Sequence, residues 1–256
     1  MRNPVQDPIF HDYTFTEADR TILDRDGHLT LPGLLTQDAC HRLTASLARI
    51  QELHEAHDEP ETSPQRFVAE YDEYMASLIG HRQMLTLART FLGPVIRYDH
   101  CVGLNRRGGD KGRDWHSHAY ADERPELGFI RVFFYVNGFE RDDANLKVVP
   151  GSHLYRDRSI HAESDKELCS GWLKGKAHPL TGEPLVLAPL ELPPGTVIIM
   201  WTHAAHGVTA RRPDSVTRWS VVYAYRNPGE PSGARWITER FENAGIHGTD
   251  GLMSLL

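Results

Sequence analysis

Two histidines, His116 and His118, stand one residue apart in the segment RDWHSHAY (residues 113–120). In a β-strand alternate side chains point to the same face, and residues i and i+2 have Cα atoms about 6.6 Å apart. Both imidazoles could therefore bind one metal ion. The pair alone is a weak pattern, because surface or core histidines without a metal also occur at this spacing. A third ligand is needed to predict a metal site.

A third histidine is available far downstream, where GTVIIMWTHAAHG (residues 195–207) places His203 and His206 after a β-like run. The interval leaves room for the strands that separate distant ligands in a two-sheet structure. Arg218 begins the next β-like run. A guanidinium pointed into a barrel is costly unless it meets an anion, and its planar fork suits a carboxylate. The alternative for Arg218 is an exposed position on an edge strand.

The elements that would hold these residues differ between the two halves of the chain. The first half has helical spacing, with a candidate N-cap at Thr16 and stop signals at Gly27 and Gly93. After Pro94, segments such as GFIRVFFYVNGF, GTVIIMW and VTRWSVVYAYR are rich in β-branched and aromatic residues. We therefore predict one domain over residues 1–256, with a helical part at about 15–93 and a β-core at about 95–226. Antiparallel sheets in a sandwich or jelly-roll barrel under a helical cover fit this order.

Composition excludes several classes of protein. The formal net charge is −7, which argues against nucleic acid as a partner. The longest apolar runs are too short to cross a membrane, and we expect neither a membrane partner nor a signal peptide. Three widely spaced cysteines, Cys40, Cys101 and Cys169, form no CxxC pair. We therefore expect a reducing, cytoplasmic location and no disulfide framework.

These motifs, in this order, resemble the phytanoyl-CoA dioxygenase-like branch of the Fe(II)/2-oxoglutarate oxygenases. The similarity runs from about Asp26 to Arg226. It rests on DGHLTLPGLLT, DWHSHAY, NLKVVPGSH, and the stretch from Gly195 to His206 followed by Arg218. The resemblance implies a double-stranded β-helix, a cupin-like jelly roll with N-terminal helices packed on one face. It also implies iron(II) and 2-oxoglutarate as cofactors, with O2 as cosubstrate.

The metal ligands that the resemblance implies include one departure from the family pattern. His116 is the first ligand and His206 the last, with His203 as the competing candidate. The family carries an aspartate at the position of His118, so the predicted ligand set here is three imidazoles. Alternatively His118 turns away, leaving two protein ligands, and catalytic competence is then in doubt. An imidazole binds metal only when neutral, so we expect affinity to fall as pH drops through the histidine range.

Three further residues are implied as cosubstrate or substrate contacts, and no catalytic side chain beyond the metal centre is predicted. Arg218 would bind the far carboxylate of 2-oxoglutarate. Asn105, before the histidine pair, and Arg131, after it, lie where family members often contact cosubstrate or substrate. The alternatives are a turn residue for Asn105 and a salt bridge in the barrel wall for Arg131. His153 is expected to be structural.

The substrate is predicted to be a small molecule. The chain is similar to antibiotic-tailoring oxygenases that form orthoesters on oligosaccharide or aminoglycoside antibiotics, as in the hygromycin B pathway. This resemblance implies hydroxylation or oxidative ring closure on a sugar-containing secondary metabolite. The acidic balance favours a neutral or cationic substrate, although acidic clusters are also typical of solvated loops. Tyr120 and Trp201 are candidate substrate contacts, with core packing as the alternative.

Two other classes of function remain open. One is a cupin-type isomerase, epimerase or dioxygenase that needs no 2-oxoglutarate. The other is a non-catalytic binding protein that keeps the barrel. Succinate formation separates the first hypothesis from both alternatives.

Overall fold

The computed structural model describes residues 7–57, 62–118, 127–157, 159–230, 235–246, 248–249 and 251–254. The helices are α1 (Glu17–Asp26), α2 (Gln37–Glu55), α3 (Val68–Tyr71), α4 (Glu73–Ile79), α5 (Arg82–Leu92), α6 (Asp165–Ser170) and α7 (Glu239–Glu242). The strands are β1 (His28–Leu31), β2 (Arg97–Gly103), β3 (Arg113–His116), β4 (Phe129–Tyr135), β5 (Leu146–Val148), β6 (His161–Ala162), β7 (Ala188–Pro189), β8 (Thr196–Trp201), β9 (His206–Val208) and β10 (Ser220–Arg226).

Local capping fixes the ends of the N-terminal helices. Thr16 accepts a hydrogen bond from the backbone N–H of Asp19, and the Asp19 carboxylate accepts one from the backbone N–H of Thr16 at 2.7 Å. This reciprocal pair satisfies two N–H groups that the first helical turn leaves without a partner. Gly27 ends α1 with φ of 83°, a conformation that costs glycine little. The predicted limits of α1 are therefore confirmed.

The larger sheet has the order β1-β8-β4-β10-β2, and every neighbouring pair is antiparallel. Its two faces contact different parts of the molecule, because side chains alternate along each strand. On β4, Ile130 and Val132 join the core shared with the helices. Arg131 and Phe133 face the opposite side and line an internal cavity. Both faces are covered, which is why the strands are almost continuously apolar in sequence.

The smaller sheet has the order β6-β3-β9-β5-β7 and closes the other side of the sandwich. A second apolar cluster fills the space between the sheets, with Phe133, Ile198 and Val222 from the larger sheet and Leu146 and Val148 from β5. The jelly roll with helices on one face is therefore the observed architecture. Among the described residues, no helix combines the length and apolar character needed to cross a bilayer.

One strand, β1, lies among the N-terminal helices, where the segment HLTLPG is predicted from the sequence to be extended. β1 follows α1 directly and pairs with β8, with His28 opposite Met200. Helices α1, α2, α4 and α5 contribute to the same core as the larger sheet. The N-terminal part therefore completes the sheet as well as covering it.

Candidate functional site

Three histidines converge at one end of the space between the sheets. His116 ends β3 and His206 begins β9, and the two residues stand directly opposite each other in the antiparallel register. His118 follows two residues after β3, and its backbone N–H donates to the Thr202 carbonyl at 3.1 Å. One ligand atom from each of the three side chains lies within 4.8 Å of the others. That spacing suits three ligands of a single metal ion.

Backbone carbonyls fix the tautomers of two of these rings. Nδ1 of His116 lies 2.7 Å from the Asp114 carbonyl oxygen, and Nδ1 of His206 lies 2.9 Å from the Ala204 carbonyl oxygen. A carbonyl oxygen can only accept, so Nδ1 carries the proton in both rings. The lone pair of each neutral ring is then on Nε2. This is the arrangement by which proteins orient histidine ligands toward a metal.

The third ring has a different partner. Nη1 of Arg131 lies 2.9 Å from Nε2 of His118. Because a guanidinium only donates, His118 must accept through Nε2 and carry its proton on Nδ1. A metal bound through Nε2 of His118 would compete with Arg131 for the same lone pair. His118 is therefore less committed to metal binding than His116 and His206.

Burial keeps all three rings neutral. It lowers the pKa of His116 to about 4, with the carbonyl of Asp114 opposing and the charge of Arg113 reinforcing this shift. The pKa values of His118 and His206 lie well below the usual histidine value, again mainly because of burial and secondarily because of neighbouring cationic groups. Neutral imidazole is the metal-binding form, so the site needs no proton release near neutral pH.

The three histidines line a cavity of about 250 Å³ between the sheets. Arg218 lies in the same cavity, in the bridge that precedes β10, and only 2% of its surface is exposed. Its guanidinium donates to the carbonyl oxygens of Ala144 and Leu104. No carboxylate of the described residues forms an ion pair with it, and its Nε has no hydrogen-bond partner there. Burial accordingly lowers the pKa of Arg218 to about 10.

A larger cleft of about 490 Å³ lies elsewhere and contains none of the three histidines. Trp201 and His203 line it. Trp201 packs with the core on the helical side of the larger sheet, and its Nε1 donates to Asp24 at 3.1 Å. Since side chains alternate along β8, the cavity-facing position at its end belongs to Met200. Trp201 therefore lies outside the metal cavity, its contact with substrate stays a prediction, and His203 is not part of the histidine cluster.

The remaining predicted residues divide in the same way. Arg131 lines the metal cavity. Asn105 does not: its side chain lies near the Leu47 carbonyl of α2, at 3.4 Å, and belongs to a separate polar cleft. Asn105 therefore lies outside the metal cavity, and its contact with the cosubstrate stays a prediction. His153 contacts the Asp24 carbonyl at 3.0 Å and has the structural position we expected. Tyr120 lies outside the described residues.

Sequence reasoning missed a buried pair on β2. Nδ1 of His100 lies 2.7 Å from the Asp99 carboxylate, which also lies 3.8 Å from Arg226. Both Asp99 and His100 are fully buried, and His100 lines the metal cavity. Asp99 is the extra residue of a bulge in the pairing of β2 with β10. The segment RYDHC shows the residue types, but the bulge depends on the partner strand and cannot be seen in this segment alone.

Two more cavity residues were missed, Trp236 and Arg106. The ring of Trp236 lies 5.3 Å from that of His100, centroid to centroid, and comes from beyond the predicted β-core. Arg106 lines the cavity from the segment that follows β2. Alternation from His100 through Val102 and Leu104 points to Arg106 rather than Asn105, so this residue could have been found from the sequence.

Comparison with known proteins shows the family to which this chain belongs. The family model for phytanoyl-CoA dioxygenase (PhyH) matches residues 23–218. No curated protein matches the chain.

Several solved structures share the fold at low sequence identity. The epimerase SnoN from nogalamycin biosynthesis is 18% identical, with 85% of this chain and 86% of that chain covered and a TM-score of 0.60. HygX from Streptomyces hygroscopicus, with nickel and 2-oxoglutarate bound, is 15% identical, with coverages of 91% and 94% and a TM-score of 0.62. EctD from S. alaskensis, with 2-oxoglutarate and 5-hydroxyectoine, is 18% identical, with coverages of 87% and 81% and a TM-score of 0.62.

These likenesses confirm the predicted jelly roll. The family model extends over most of the chain, from α1 to the arginine that precedes β10. The chain therefore belongs to the phytanoyl-CoA dioxygenase (PhyH) family of iron(II)- and 2-oxoglutarate-dependent oxygenases.

Proposed function

We propose that this chain oxidises a C–H bond of a small molecule in a 2-oxoglutarate-dependent reaction, with iron bound by His116, His118 and His206. One observation carries the proposal. Three neutral imidazoles and a buried guanidinium without a carboxylate partner among the described residues share a single cavity. The imidazoles suit a divalent transition metal, and the guanidinium suits the far end of a dicarboxylate.

The charges of the three-histidine set fit iron and the cosubstrate. Iron(II) carries two positive charges and 2-oxoglutarate two negative charges. Three neutral imidazoles leave this sum at zero, whereas the aspartate of the usual family pattern would make it negative. His116 and His206 present their Nε2 lone pairs without any rearrangement, because backbone carbonyls already hold their Nδ1 protons.

Arg218 is the proposed anchor of the cosubstrate. Its guanidinium lies above the ring of Tyr135, with its central carbon 5.4 Å from the ring centroid, and both residues line the cavity. A carboxylate bound here would receive charge-assisted hydrogen bonds in a site shielded from water, where they are strong. The backbone contacts to Leu104 and Ala144 hold the guanidinium in place before binding.

Iron with 2-oxoglutarate and O2 supplies the oxidising power, with succinate and carbon dioxide as co-products. The chain's own residues bind, orient and shield. His116 and His206 hold the metal, Arg218 sets the direction of the cosubstrate, and the apolar wall formed by Val102, Phe133 and others keeps water from the reacting centre.

We propose a ring-bearing secondary metabolite as the substrate, oxidised by hydroxylation or by ring closure. SnoN has been solved with nogalamycin RO, and EctD with 5-hydroxyectoine, so this fold accepts cyclic small molecules. Trp236 offers a flat face for such a ring. His100 lines the cavity beside Trp236, with its Nδ1 2.7 Å from the buried Asp99 carboxylate.

The charge of the cavity narrows the substrate further. Four arginines line it, namely Arg106, Arg113, Arg131 and Arg218, and no carboxylate does so among the described residues. This lining opposes a cationic substrate, which we considered on the basis of the net charge of the whole chain. We therefore propose a neutral or anionic substrate.

The test is succinate formation by purified protein with iron(II), ascorbate and 2-oxoglutarate, with and without candidate ring compounds. Succinate that rises with an added compound, together with an oxidised product, supports the proposal. Product without succinate would point to a cupin-type enzyme. Metal binding without any turnover would point to a binding protein.

A further inference from the structure

Arg106 and Arg218 face each other across an antiparallel bridge. The backbone N–H of Arg106 donates to the Arg218 carbonyl at 3.0 Å, and the N–H of Arg218 donates to the Arg106 carbonyl at 2.8 Å. Residues directly opposite in such a pair project their side chains from the same face, with Cβ atoms about 5 Å apart. Both side chains line the metal cavity. Like charges in this position destabilise a sheet.

Neither guanidinium is neutralised by the described part of the chain. Arg106 is partly buried, its Nε has no hydrogen-bond partner there, and burial lowers its pKa, with the charge of Arg113 adding to the effect. The nearest acid that acts on it is Asp110, whose carboxylate accepts a hydrogen bond from the backbone N–H of Arg107 at 2.6 Å. Arg218 has only backbone carbonyls as partners. Within the described ranges, neither side chain of the pair forms an ion pair with a carboxylate, and Asp110 acts on Arg106 only through its charge.

We propose that Arg106 is a second guanidinium for the distal carboxylate of 2-oxoglutarate, which binds between Arg106 and Arg218. This proposal rests on the proposed function, because it assumes that 2-oxoglutarate enters this cavity. A carboxylate has two oxygens and accepts hydrogen bonds from two guanidinium groups without competition. Its negative charge removes the repulsion between the paired side chains. Tyr135 lies at the same end of the cavity, with its ring centroid 5.4 Å from the central guanidinium carbon of Arg218.

Selectivity is the functional consequence. A site with two arginines should discriminate strongly between a 2-oxo acid with a distal carboxylate and one without it, because the unneutralised pair penalises the latter. The exposed Arg113 lines the cavity too, but solvent screens its charge. Arg106 therefore makes a local contribution to cosubstrate recognition, beyond a general positive field.

The experiment is calorimetric titration of nickel-loaded protein with 2-oxoglutarate and with 2-oxopentanoate, which has the same chain length but no distal carboxylate. Arg106→Gln should raise the Kd for 2-oxoglutarate by about 10- to 100-fold, the range expected for lost charge-assisted hydrogen bonds. The Kd for 2-oxopentanoate should stay the same or fall. Arg106→Lys should recover part of the affinity, because it restores the charge but not the planar fork.

Two control variants separate the explanations. Arg107→Gln removes a neighbouring arginine that pairs with Glu55 outside the cavity, and it should leave both Kd values unchanged. Arg113→Gln removes an exposed charge from the cavity lining and tests for a general field. If Arg106→Gln leaves the Kd for 2-oxoglutarate unchanged, or if Arg113→Gln raises it equally, the proposal is overturned.

Two binding results distinguish an error about Arg106 from an error about the proposed function. A wild-type protein that binds nickel but not 2-oxoglutarate would refute both. A wild-type protein that binds 2-oxoglutarate, with Arg106→Gln and Arg106→Lys binding equally well, would refute only the role of Arg106. Circular dichroism and thermal midpoints show whether each variant is folded, and Arg106→Lys keeps the test available should Arg106→Gln fail to fold.

Discussion

The histidine end and the arginine end of the cavity are built on opposite principles. His116 and His206 are neutral, and their protonated nitrogens are already bonded to backbone carbonyls. Arg218 and Arg106 are buried or partly buried cations with no carboxylate partner in the described structure. Neutral histidines lose little stability when no metal ion is bound, whereas paired cations lose stability when no anion lies between them. The protein should therefore depend on metal for chemistry and on an anion for the integrity of the other end.

The largest effect should come from the histidine end. His206→Ala removes a ligand that needs no rearrangement to bind. Loss of a group that only orients a ligand typically lowers metal affinity or activity by about 10- to 100-fold. We expect His206→Ala to lower metal binding and succinate formation by more than this. Metal content after dialysis and the rate of succinate release measure the two effects. His203→Ala is the matched control, because His203 lines the separate cleft. Equal loss in both variants would remove His206 from the proposed ligand set.

Arg218→Gln should weaken binding of 2-oxoglutarate without weakening binding of the metal. We expect the Kd for 2-oxoglutarate to rise by about 100-fold or more, in the range for removing one partner of a buried charged pair. Metal affinity should change little, because Arg218 donates only to backbone carbonyls among the described residues and touches none of the three histidines. Titration of metal and of cosubstrate in separate experiments gives both values. A metal affinity that falls in parallel would mean that the two ends are not independent.

Some residues of the site could be predicted from the sequence and others could not, for a physical reason. Apolar strands covered on both faces do not show which face is inside, so the sequence left open whether Trp201 contacts substrate or packs in the core; it packs on the helical side of the sheet. Asn105 was chosen by resemblance, whereas alternation along β2 selects Arg106. Trp236 could not be found by either route, because its position depends on tertiary packing against Arg66 and His100. The fold followed from caps, alternation and turn residues, which act locally.

The pH dependence should also distinguish the ends. Because burial lowers the pKa of His116 to about 4, its ring stays neutral through the range in which an exposed histidine gains a proton. Metal affinity should therefore hold below pH 6.5 and fall only toward pH 4, a lower window than we expected from the sequence. The metal-free fold behaves differently: protons bind the unfolded histidines from about pH 6.5 downward, so its stability should decline between about pH 6.5 and about 4. Metal titrations and thermal midpoints across this range test both statements, and loss of metal as soon as exposed histidines gain protons would contradict the first.

The smallest effect should come from His118→Asp, the change that restores the usual carboxylate. The introduced carboxylate would accept charge-assisted hydrogen bonds from Arg131 through one oxygen and leave the other for the metal, whereas His118 has one lone pair for both partners. We expect metal affinity to stay within about tenfold of wild type, with any shift toward tighter binding. His118→Ala leaves Arg131 without this acceptor and provides the comparison. The opposite outcome is a loss of metal from His118→Asp as complete as that from His206→Ala. This result would mean that the side chain at position 118 does not bind both Arg131 and the metal, and that the histidine itself is needed as a ligand.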